Sequence, residues 1–222
     1  MGFFTKMQDI RIEKKYVFGK YKEDFLKTTL LENGFVKFFS PRKITSIYLD
    51  TLNFDFAKDN INGVSKRKKI RFRWYNDDLS NIFLEEKNKQ NFQVKKNILK
   101  IPVSVNRKSI ISDLEDYFNR LNKNYNDFNY KFVLKTNYLR SYWVSHDKKI
   151  RATIDTNLKT SPINNLSREL DLNETILEFK FLPNKENFFK NFYFFNNLNL
   201  RSKKFSKYIQ AFSLLEDSGL II

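Results

Sequence analysis

Cationic side chains occupy every second position in the segment KKIRFRWY, which spans residues 68–75. Lys69, Arg71 and Arg73 alternate there with large apolar residues. Because successive side chains of a β-strand point to opposite faces, the segment predicts a strand with one apolar and one cationic face. Arginine forks and lysine ammonium groups bind the oxygen atoms of phosphates. The cationic face therefore predicts an anion-binding site, with a solvated sheet surface as the alternative.

An acid followed two residues later by a base recurs along the chain. The pairs are Glu13 with Lys15, Glu85 with Lys87, and Glu178 with Lys180. The apolar faces of the same segments carry large residues that helices would have to cover. A sheet with its apolar face outward and its charged face inward would close into a barrel with a polar lumen. Buried charges need partners, and a bound polyanion together with a divalent metal would satisfy both signs.

The segment SKKFSKYIQAFSLLED at 202–217 predicts a C-terminal helix with Ser202 as its N-cap. Lys203, Lys204 and Lys207 would then lie in its first turns, where each cation opposes the helix dipole by about 0.3–1 kcal/mol. The lysines and the free N–H groups would together favour an anion at the start of the helix. A solvated basic turn is the alternative interpretation.

The composition narrows the classes of partner. The chain has 222 residues with 41 Lys+Arg against 25 Asp+Glu, a formal net charge of +16. Such an excess favours an anionic partner: nucleic acid, anionic lipid or a polyphosphorylated ligand. The absence of cysteine excludes disulfides and thiolate metal sites. Without a run of about 18 apolar residues or a good signal peptide, we expect a cytoplasmic protein that lacks a transmembrane segment.

An antiparallel sheet would have to position these side chains. Alternating polarity predicts strands at 10–18, 43–51, 68–75, 82–89, 130–145, 150–158 and 175–182, and the segment 93–101 is ambiguous. Helical spacing predicts helices at 21–34, at 107–122 and from 185 to the end. The strands are mostly linked as hairpins, so we expect one α+β domain over residues 1–222.

Taken in order, the charged motifs resemble the VTC domain. This is the polyphosphate polymerase domain of the vacuolar transporter chaperone complex, in the triphosphate tunnel metalloenzyme superfamily. The matching motifs are R-x-E-x-K-Y (11–16), I-Y-L-D-T (47–51), K-x-R-x-R-W-Y (69–75), L-E-x-K (84–87 and 177–180), Y-x-R (138–140), R-x-T-I-D (151–155) and K-x-S-K-Y (204–208). The resemblance implies a closed, eight-stranded antiparallel barrel with a basic lumen and surrounding helices.

The same resemblance implies roles for individual residues. The predicted catalytic residues are Arg71, Arg73, Lys87 and Arg140. The predicted phosphate-binding residues are Lys15, Lys69, Tyr138, Arg151, Lys180, Lys204, Ser206 and Lys207. The predicted ligands of a Mn²⁺ or Mg²⁺ cofactor are Glu178, Glu13 and Glu85. Either Lys95 or Lys96 would match a further lysine of the tunnel.

One position departs from the hydrolytic branch of the superfamily. Tunnel triphosphatases and related cyclases open with E-x-E-x-K, whereas Arg11 replaces the first Glu here. Loss of that acid would weaken a metal site on the first strand, which favours the polymerase branch. The only histidine, His146, is expected on an exposed turn. Transfer to an already ionised phosphate needs little help from a general base.

Three functions remain open at this level. The first is a polymerase that transfers the γ-phosphate of ATP onto a growing inorganic polyphosphate chain. The second is a tunnel triphosphatase that hydrolyses inorganic or nucleoside triphosphate, and the third is a non-catalytic module that binds polyphosphate or nucleic acid. ATP and inorganic polyphosphate are the expected partners, and a membrane partner protein remains open. Nucleic acid is disfavoured because the aromatic residues fall on the core-facing sides of the strands.

Overall fold

A computed structural model describes residues 7–8, 12–91, 93–102, 105–122, 129–186 and 201–221. The strands of this part are β1 (Met7–Gln8), β2 (Ile12–Gly19), β3 (Phe35–Thr51), β4 (Lys66–Tyr75), β5 (Phe83–Gln90), β6 (Gln93–Lys100), β7 (Tyr130–Ser145), β8 (Ile150–Pro162), β9 (Leu170–Asp171) and β10 (Glu174–Phe181). Its helices are α1 (Glu23–Glu32), α2 (Asp55–Ile61), α3 (Ile110–Asn122) and α4 (Lys207–Asp217), with a 3₁₀ turn at Pro183–Lys185. The predicted α+β class is confirmed.

All ten strands belong to one antiparallel sheet. They follow the order β1–β6–β5–β4–β3–β7–β8–β10–β2, and β9 pairs with β8. Eight of them have eight or more residues, which matches the predicted number of strands. The hairpin between β4 and β5 begins with Asn76 and Asp77, both at positive φ, which Asn and Asp tolerate better than most residues.

The predicted closure of the barrel is wrong. Over the described ranges the sheet is a curled half-barrel, and no ladder joins β2 to β5 or β6. Beyond β6 the sheet ends at β1, where Met7 pairs with Lys96 and Gln8 with Lys95, and its other edge is β2. Both edges have features that disfavour further pairing, because β1 has two residues and β2 carries Lys14 and Lys15. The margins nevertheless approach each other, because Lys87 Nζ of β5 lies 3.9 Å from a carboxylate oxygen of Glu13 on β2.

The contact between Lys87 and Glu13 identifies the charged face as the concave one, because β2 and β5 lie far apart in the strand order. The apolar face is convex and covered by helices, as the alternation predicts. On one half of it, Leu26 of α1 packs in a cluster with Phe179. On the other half, Phe72 packs against Phe118 of α3, with ring centroids 6.2 Å apart.

Helix α4 covers one end of the concave face. Its residues Tyr208 and Phe212 pack with Tyr48 of β3 and Leu134 of β7, and the rings of Tyr48 and Tyr208 stack with centroids 5.0 Å apart. Within the described ranges, each helix is too short or too polar to span a lipid bilayer.

A buried carboxylate fixes this helix. Asp50 is fully buried and accepts hydrogen bonds from the backbone N–H groups of Thr51, Phe56 and Ala57 and from Tyr208 Oη. Burial raises the pKa of Asp50, although these hydrogen bonds oppose the shift. The I-Y-L-D-T motif thereby joins the start of α2 to the first turn of α4.

The predicted N-cap of the C-terminal helix is wrong. The cap is Ser206, whose Oγ accepts a hydrogen bond from the Ile209 N–H, and not Ser202. Upstream, the backbone N–H of Lys203 donates a hydrogen bond to the Lys15 carbonyl at 2.9 Å. The chain there lies beside β2 and is not helical. Lys203 and Lys204 therefore precede the helix, and of the three predicted lysines Lys207 is the one in its first turn. The predicted helical residues 187–200 and Arg11 lie outside the described residues.

Candidate functional site

The alternation of each strand brings the predicted site residues onto the concave face. In the antiparallel register, Arg71 of β4 lies opposite Tyr48 on one side and Glu85 on the other. Arg140 lies opposite Asp155, and residues that are register partners share a face of the sheet. Curling of the sheet then brings these side chains together.

The first ion-pair cluster surrounds Glu85. Arg71 donates from Nε and Nη2 to Glu85 Oε2 at 2.8 and 2.5 Å, a two-pronged contact. Arg73 Nη1 lies 3.6 Å from the same oxygen and Lys96 Nζ 3.2 Å from Oε1. Burial alone would raise the pKa of Glu85, but Arg71, Arg73 and Lys96 hold it well below its usual range. Glu85 is therefore a weak base. Of the two candidate lysines of β6, Lys96 is the one on the concave face.

The second cluster surrounds Asp155, which is fully buried. Arg140 donates from Nε and Nη2 to the two carboxylate oxygens at 2.6 and 2.7 Å, and Lys207 Nζ from α4 donates to Oδ2. Burial would raise the pKa of Asp155, but Arg140 and Lys207 lower it. Sequence reasoning gave Asp155 no role; its place at the end of R-x-T-I-D was the available signal.

Tyr138 connects the two clusters. Its hydroxyl accepts a hydrogen bond from Arg73 Nη2 at 3.3 Å, and Lys207 Nζ lies 4.5 Å from the centre of its ring. Burial would raise the pKa of Tyr138, but Arg73, Arg140 and Lys207 lower it. The phenol is thus held among cations at the centre of the face.

Two of the three predicted metal ligands lie beside the same ammonium group. Lys180 Nζ is 3.0 Å from Glu13 Oε1 and 3.2 Å from Glu178 Oε1. Burial would raise the pKa of Glu178, but Lys180, Lys15 and Arg140 hold it well below its usual range. Mg²⁺ and similar hard cations often take one or two carboxylates together with substrate phosphates, so this pair fits such an ion.

Glu85 lies apart from that pair, in the arginine cluster, and its metal role stays a prediction. The described residues contain no group of three or more His, Cys, Asp and Glu side chains placed to hold a metal. A metal here would therefore depend on the phosphates of the substrate for its remaining ligands.

Three further lysines, Lys15, Lys69 and Lys87, lack a close carboxylate partner within the described residues. Together with Ser206, which contacts Lys69, we call them the lysine pocket. Lys69 Nζ donates to Ser206 Oγ at 2.7 Å, and Lys15 Nζ donates to the Phe205 carbonyl at 3.0 Å. Burial, together with the nearby charges of Lys15 and Lys87, lowers the pKa of Lys69 to about 7. A cation that is disfavoured by its surroundings is stabilised when an anion enters.

Two predicted phosphate-binding residues lie outside these groups. Arg151 is exposed opposite Lys180 in the register, and Lys204 is exposed before α4. Their roles stay predictions, as do those of the other predicted phosphate-binding and catalytic residues. Sequence reasoning also missed Ser46, whose Oγ accepts a hydrogen bond from Arg73 Nε at 3.3 Å.

Comparison with known proteins agrees with this fold. A family model described as the VTC domain matches residues 10–216. No curated protein matches the chain.

Several solved structures share the fold at low sequence identity. A putative adenylate cyclase from Bacillus halodurans aligns with a TM-score of 0.57 and 14% identity over 96% of this chain and 99% of that chain. A putative adenylyl cyclase from Hippeastrum, described as having a dominant triphosphatase activity, aligns with a TM-score of 0.57 and 13% identity. The alignment covers 96% of this chain and 97% of that chain. The PH1819 protein from Pyrococcus horikoshii aligns with a TM-score of 0.52 and 17% identity over 93% of this chain and 99% of that chain.

Proposed function

The chain belongs to the VTC domain family, and on that premise we propose that it is a metal-dependent polyphosphate polymerase. It would transfer the γ-phosphate of ATP onto a growing inorganic polyphosphate chain on the concave face. The lysine pocket is the observation that carries this proposal. Lys69 lies among cations there, and in the described residues no carboxylate pairs with it. Linked phosphates are the ligand class that would compensate several lysines at once.

The two ion-pair clusters would orient the reacting groups. Arg71 and Arg140 are each fixed by a two-pronged contact to a carboxylate, at 2.5–2.8 Å and 2.6–2.7 Å. Cations that are held in place before the reaction stabilise developing charge without having to reorganise. Arg73 and Lys87 would complete the clamp around the transferring group.

The proposed step conserves its atoms. A terminal oxygen of the polyphosphate chain attacks the γ-phosphorus of ATP, and the bond from that phosphorus to the β–γ bridging oxygen breaks. ADP leaves with that oxygen, and the chain is one phosphate longer. Glu13 and Glu178 would hold Mn²⁺ or Mg²⁺, which supplies charge neutralisation at phosphate oxygens.

The protonation states support transfer to phosphate over transfer to water. The attacking oxygen of a polyphosphate chain is already ionised, so no base has to remove a proton. Water would require one, and the ion pairs of Glu85 and Glu178 lower their pKa and weaken them as bases.

Hydrolysis of inorganic or nucleoside triphosphate is the second candidate. The fold is shared with the Hippeastrum protein described as a triphosphatase. Glu13 is the carboxylate that could serve this candidate, because its side chain is 32% exposed and could contact a water molecule. Burial would raise the pKa of Glu13, but Lys180 and Lys87 lower it, so Glu13 would also be a weak base. It would be the base of the hydrolytic reaction.

Product analysis tests the proposal. Purified protein is incubated with ATP and Mn²⁺, and polyphosphate, ADP and free phosphate are measured after gel separation and polyphosphate staining. Polymer with stoichiometric ADP supports the polymerase. Free phosphate without polymer supports the triphosphatase, and neither product in a protein that still binds tripolyphosphate supports a non-catalytic module.

Glu178→Gln should abolish product formation, because it removes one carboxylate of the metal pair at nearly constant volume. Tripolyphosphate binding should also lose its dependence on Mn²⁺, which isothermal titration calorimetry would measure. The exposed Glu32→Gln on α1 is the matched control and should keep both properties. Unchanged turnover in Glu178→Gln would reject the assignment of the metal pair.

A further inference from the structure

An aromatic group surrounds Arg42 at one end of the concave face. The Arg42 guanidinium carbon lies 5.4 Å from the ring centroid of Phe39, 5.7 Å from that of Tyr142 and 6.0 Å from that of Tyr75. Phe38 lies directly beside Phe39, with centroids 4.2 Å apart. We call Arg42, Phe38, Phe39, Tyr75 and Tyr142 the rim cluster.

The backbone of β3 is distorted at this place. Adjacent residues of a regular strand point to opposite faces, yet the rings of Phe38 and Phe39 touch. The pairing of β3 with β7 shifts between Lys37 and Phe39 and again between Phe39 and Arg42. Such bulges re-aim side chains and are common at barrel rims and next to active sites. They leave Phe38 and Phe39 exposed at 43% and 49%.

The rim cluster continues the phosphate-binding face. Arg42 is the register partner of Arg140, and Tyr75 follows Arg73 by two residues on the same face of β4. At a rise of about 3.3 Å per residue, Tyr75 lies about 7 Å beyond Arg73 and about 20 Å from Lys69. Along β4, Lys69 of the lysine pocket and Tyr75 of the rim cluster therefore lie far apart, with Arg71 and Arg73 between them.

Arg42 differs from the arginines of the ion-pair clusters. Arg140 is neutralised by Asp155, whereas no carboxylate of the described residues pairs with Arg42. Its planar guanidinium and the exposed rings present flat surfaces to the solvent. Aromatic rings and guanidinium planes stack on nucleobases regardless of base sequence.

We propose that the rim cluster binds the nucleobase of the nucleoside triphosphate donor, an inference that rests on the proposed function. The triphosphate of the donor would then lie along Arg140 and Arg73, and the acceptor chain would lie in the lysine pocket. Inorganic polyphosphate has no base and would not engage the rim cluster. The cluster would thereby separate donor from product on a face that attracts both.

Binding of two ligands tests this proposal. Calorimetry would give the Kd of ATP and of inorganic tripolyphosphate for the wild type, for Phe39→Ala and for Phe39→Tyr. Phe39→Ala should weaken the binding of ATP by about 5- to 150-fold relative to that of tripolyphosphate, the loss expected for one base–aromatic stack. Phe39→Tyr should restore the wild-type ratio. The control Phe25→Ala removes a ring of similar exposure, 44%, on α1 and should leave the ratio unchanged.

The contrary results are distinct. An unchanged ATP-to-tripolyphosphate ratio in Phe39→Ala would overturn the inference, and so would a dimer that dissociates in this variant with no change in ATP affinity. If circular dichroism shows Phe39→Ala to be unfolded, Arg42→Lys replaces it, since it keeps the charge and loses the plane. If the wild type binds ATP but makes no polymer, the proposed polymerase activity is refuted. The affinity ratios of the Phe39 variants would still test the rim cluster. A wild type that binds neither ligand would overturn the phosphate site and the rim cluster together.

Discussion

The concave face contains two kinds of cation, and their surroundings differ. In the ion-pair clusters, Arg71 and Arg140 contact carboxylates at 2.5–2.8 Å and 2.6–2.7 Å. In the lysine pocket, Lys15 and Lys87 lie 3.9 Å from the carboxylates of Glu178 and Glu13. The pKa of Arg140 is raised by Asp155 against the effect of burial, whereas burial and neighbouring lysines lower that of Lys69. The fold compensates the two arginines with close carboxylates, whereas the carboxylate contacts of the lysines are longer or absent within the described residues.

Arg140→Ala should give the largest loss of stability. It leaves the fully buried Asp155 with Lys207 as its remaining ion-pair partner. Removing one member of a buried pair typically costs about 3–5 kcal/mol. Urea unfolding would measure this, with Lys27→Ala as control, since its exposed pairs with Glu23 and Asp24 should contribute less than about 1 kcal/mol. Equal losses of unfolding free energy in Arg140→Ala and Lys27→Ala would show that the ion-pair cluster around Asp155 stabilises the fold no more than an exposed pair does.

Lys87→Met should have the opposite profile. Loss of a charge-assisted contact to phosphate should weaken tripolyphosphate binding by at least about tenfold. The free energy of unfolding should change little, because removal of a like charge beside Lys69 offsets the loss of the 3.9 Å contact with Glu13. Calorimetry and urea unfolding would test both parts, with the exposed Lys108→Met as control. A variant that is destabilised by several kcal/mol and binds normally would make Lys87 a structural residue.

Lys69 should make phosphate binding depend on pH. Its pKa is lowered to about 7 in the free protein, and a bound polyanion would raise it. Above pH 7 the complex would hold a proton that the free site lacks. The affinity for tripolyphosphate should therefore fall as pH rises, by up to about tenfold per pH unit. Lys69→Arg keeps a cation that does not titrate in this range. In this variant the affinity should depend on pH only through the protonation of tripolyphosphate itself.

The same shift affects folding in the opposite direction. A lysine with a lowered pKa binds fewer protons in the folded state between pH 7 and its unfolded value near 10.5. The free energy of unfolding without ligand should therefore rise across this window in the wild type relative to Lys69→Arg. Parallel pH profiles for both proteins would contradict the assigned pKa.

Ser206→Ala should give the smallest effect. Its N-cap contact to Ile209 is long, 3.5 Å, so the loss of stability should be about 0.5–1 kcal/mol. Lys69 would also lose its acceptor, which should slightly lower its affinity for a proton. Ser206→Thr keeps the oxygen and should behave as the wild type in thermal unfolding. A loss of several kcal/mol would show that the junction before α4 carries more of the fold than this contact explains.

The sequence predicted those parts of the molecule that depend on periodicity. The two faces of β4 follow directly from its alternation, and the predicted strand 130–145 agrees with β7. The extension of β3 back to Phe35 was missed, because bulges around residues 37–42 break the alternation that marks a strand. The open edge of the sheet was missed for a different reason: it depends on which strands meet after the sheet has curled.

For the candidate site, the sequence could predict which residues share a face but not which of them are in contact. Periodicity placed Glu85 and Lys87 on one face, but it could not show that Glu85 is bound by Arg71 while Lys87 lacks a close carboxylate. Partners of this kind come from strands distant in sequence. For the same reason, the contact between Asp50 and Tyr208, 158 residues apart, leaves no local pattern.

The crystal structure of the protein with inorganic tripolyphosphate tests the central claim most directly. We predict linked phosphates in the lysine pocket, with oxygen atoms within hydrogen-bonding distance of Lys15, Lys69 and Lys87 and the arginine clusters unchanged. Tripolyphosphate bound on the outer surface, or a lysine pocket that stays free of it at saturating concentration, would contradict the account.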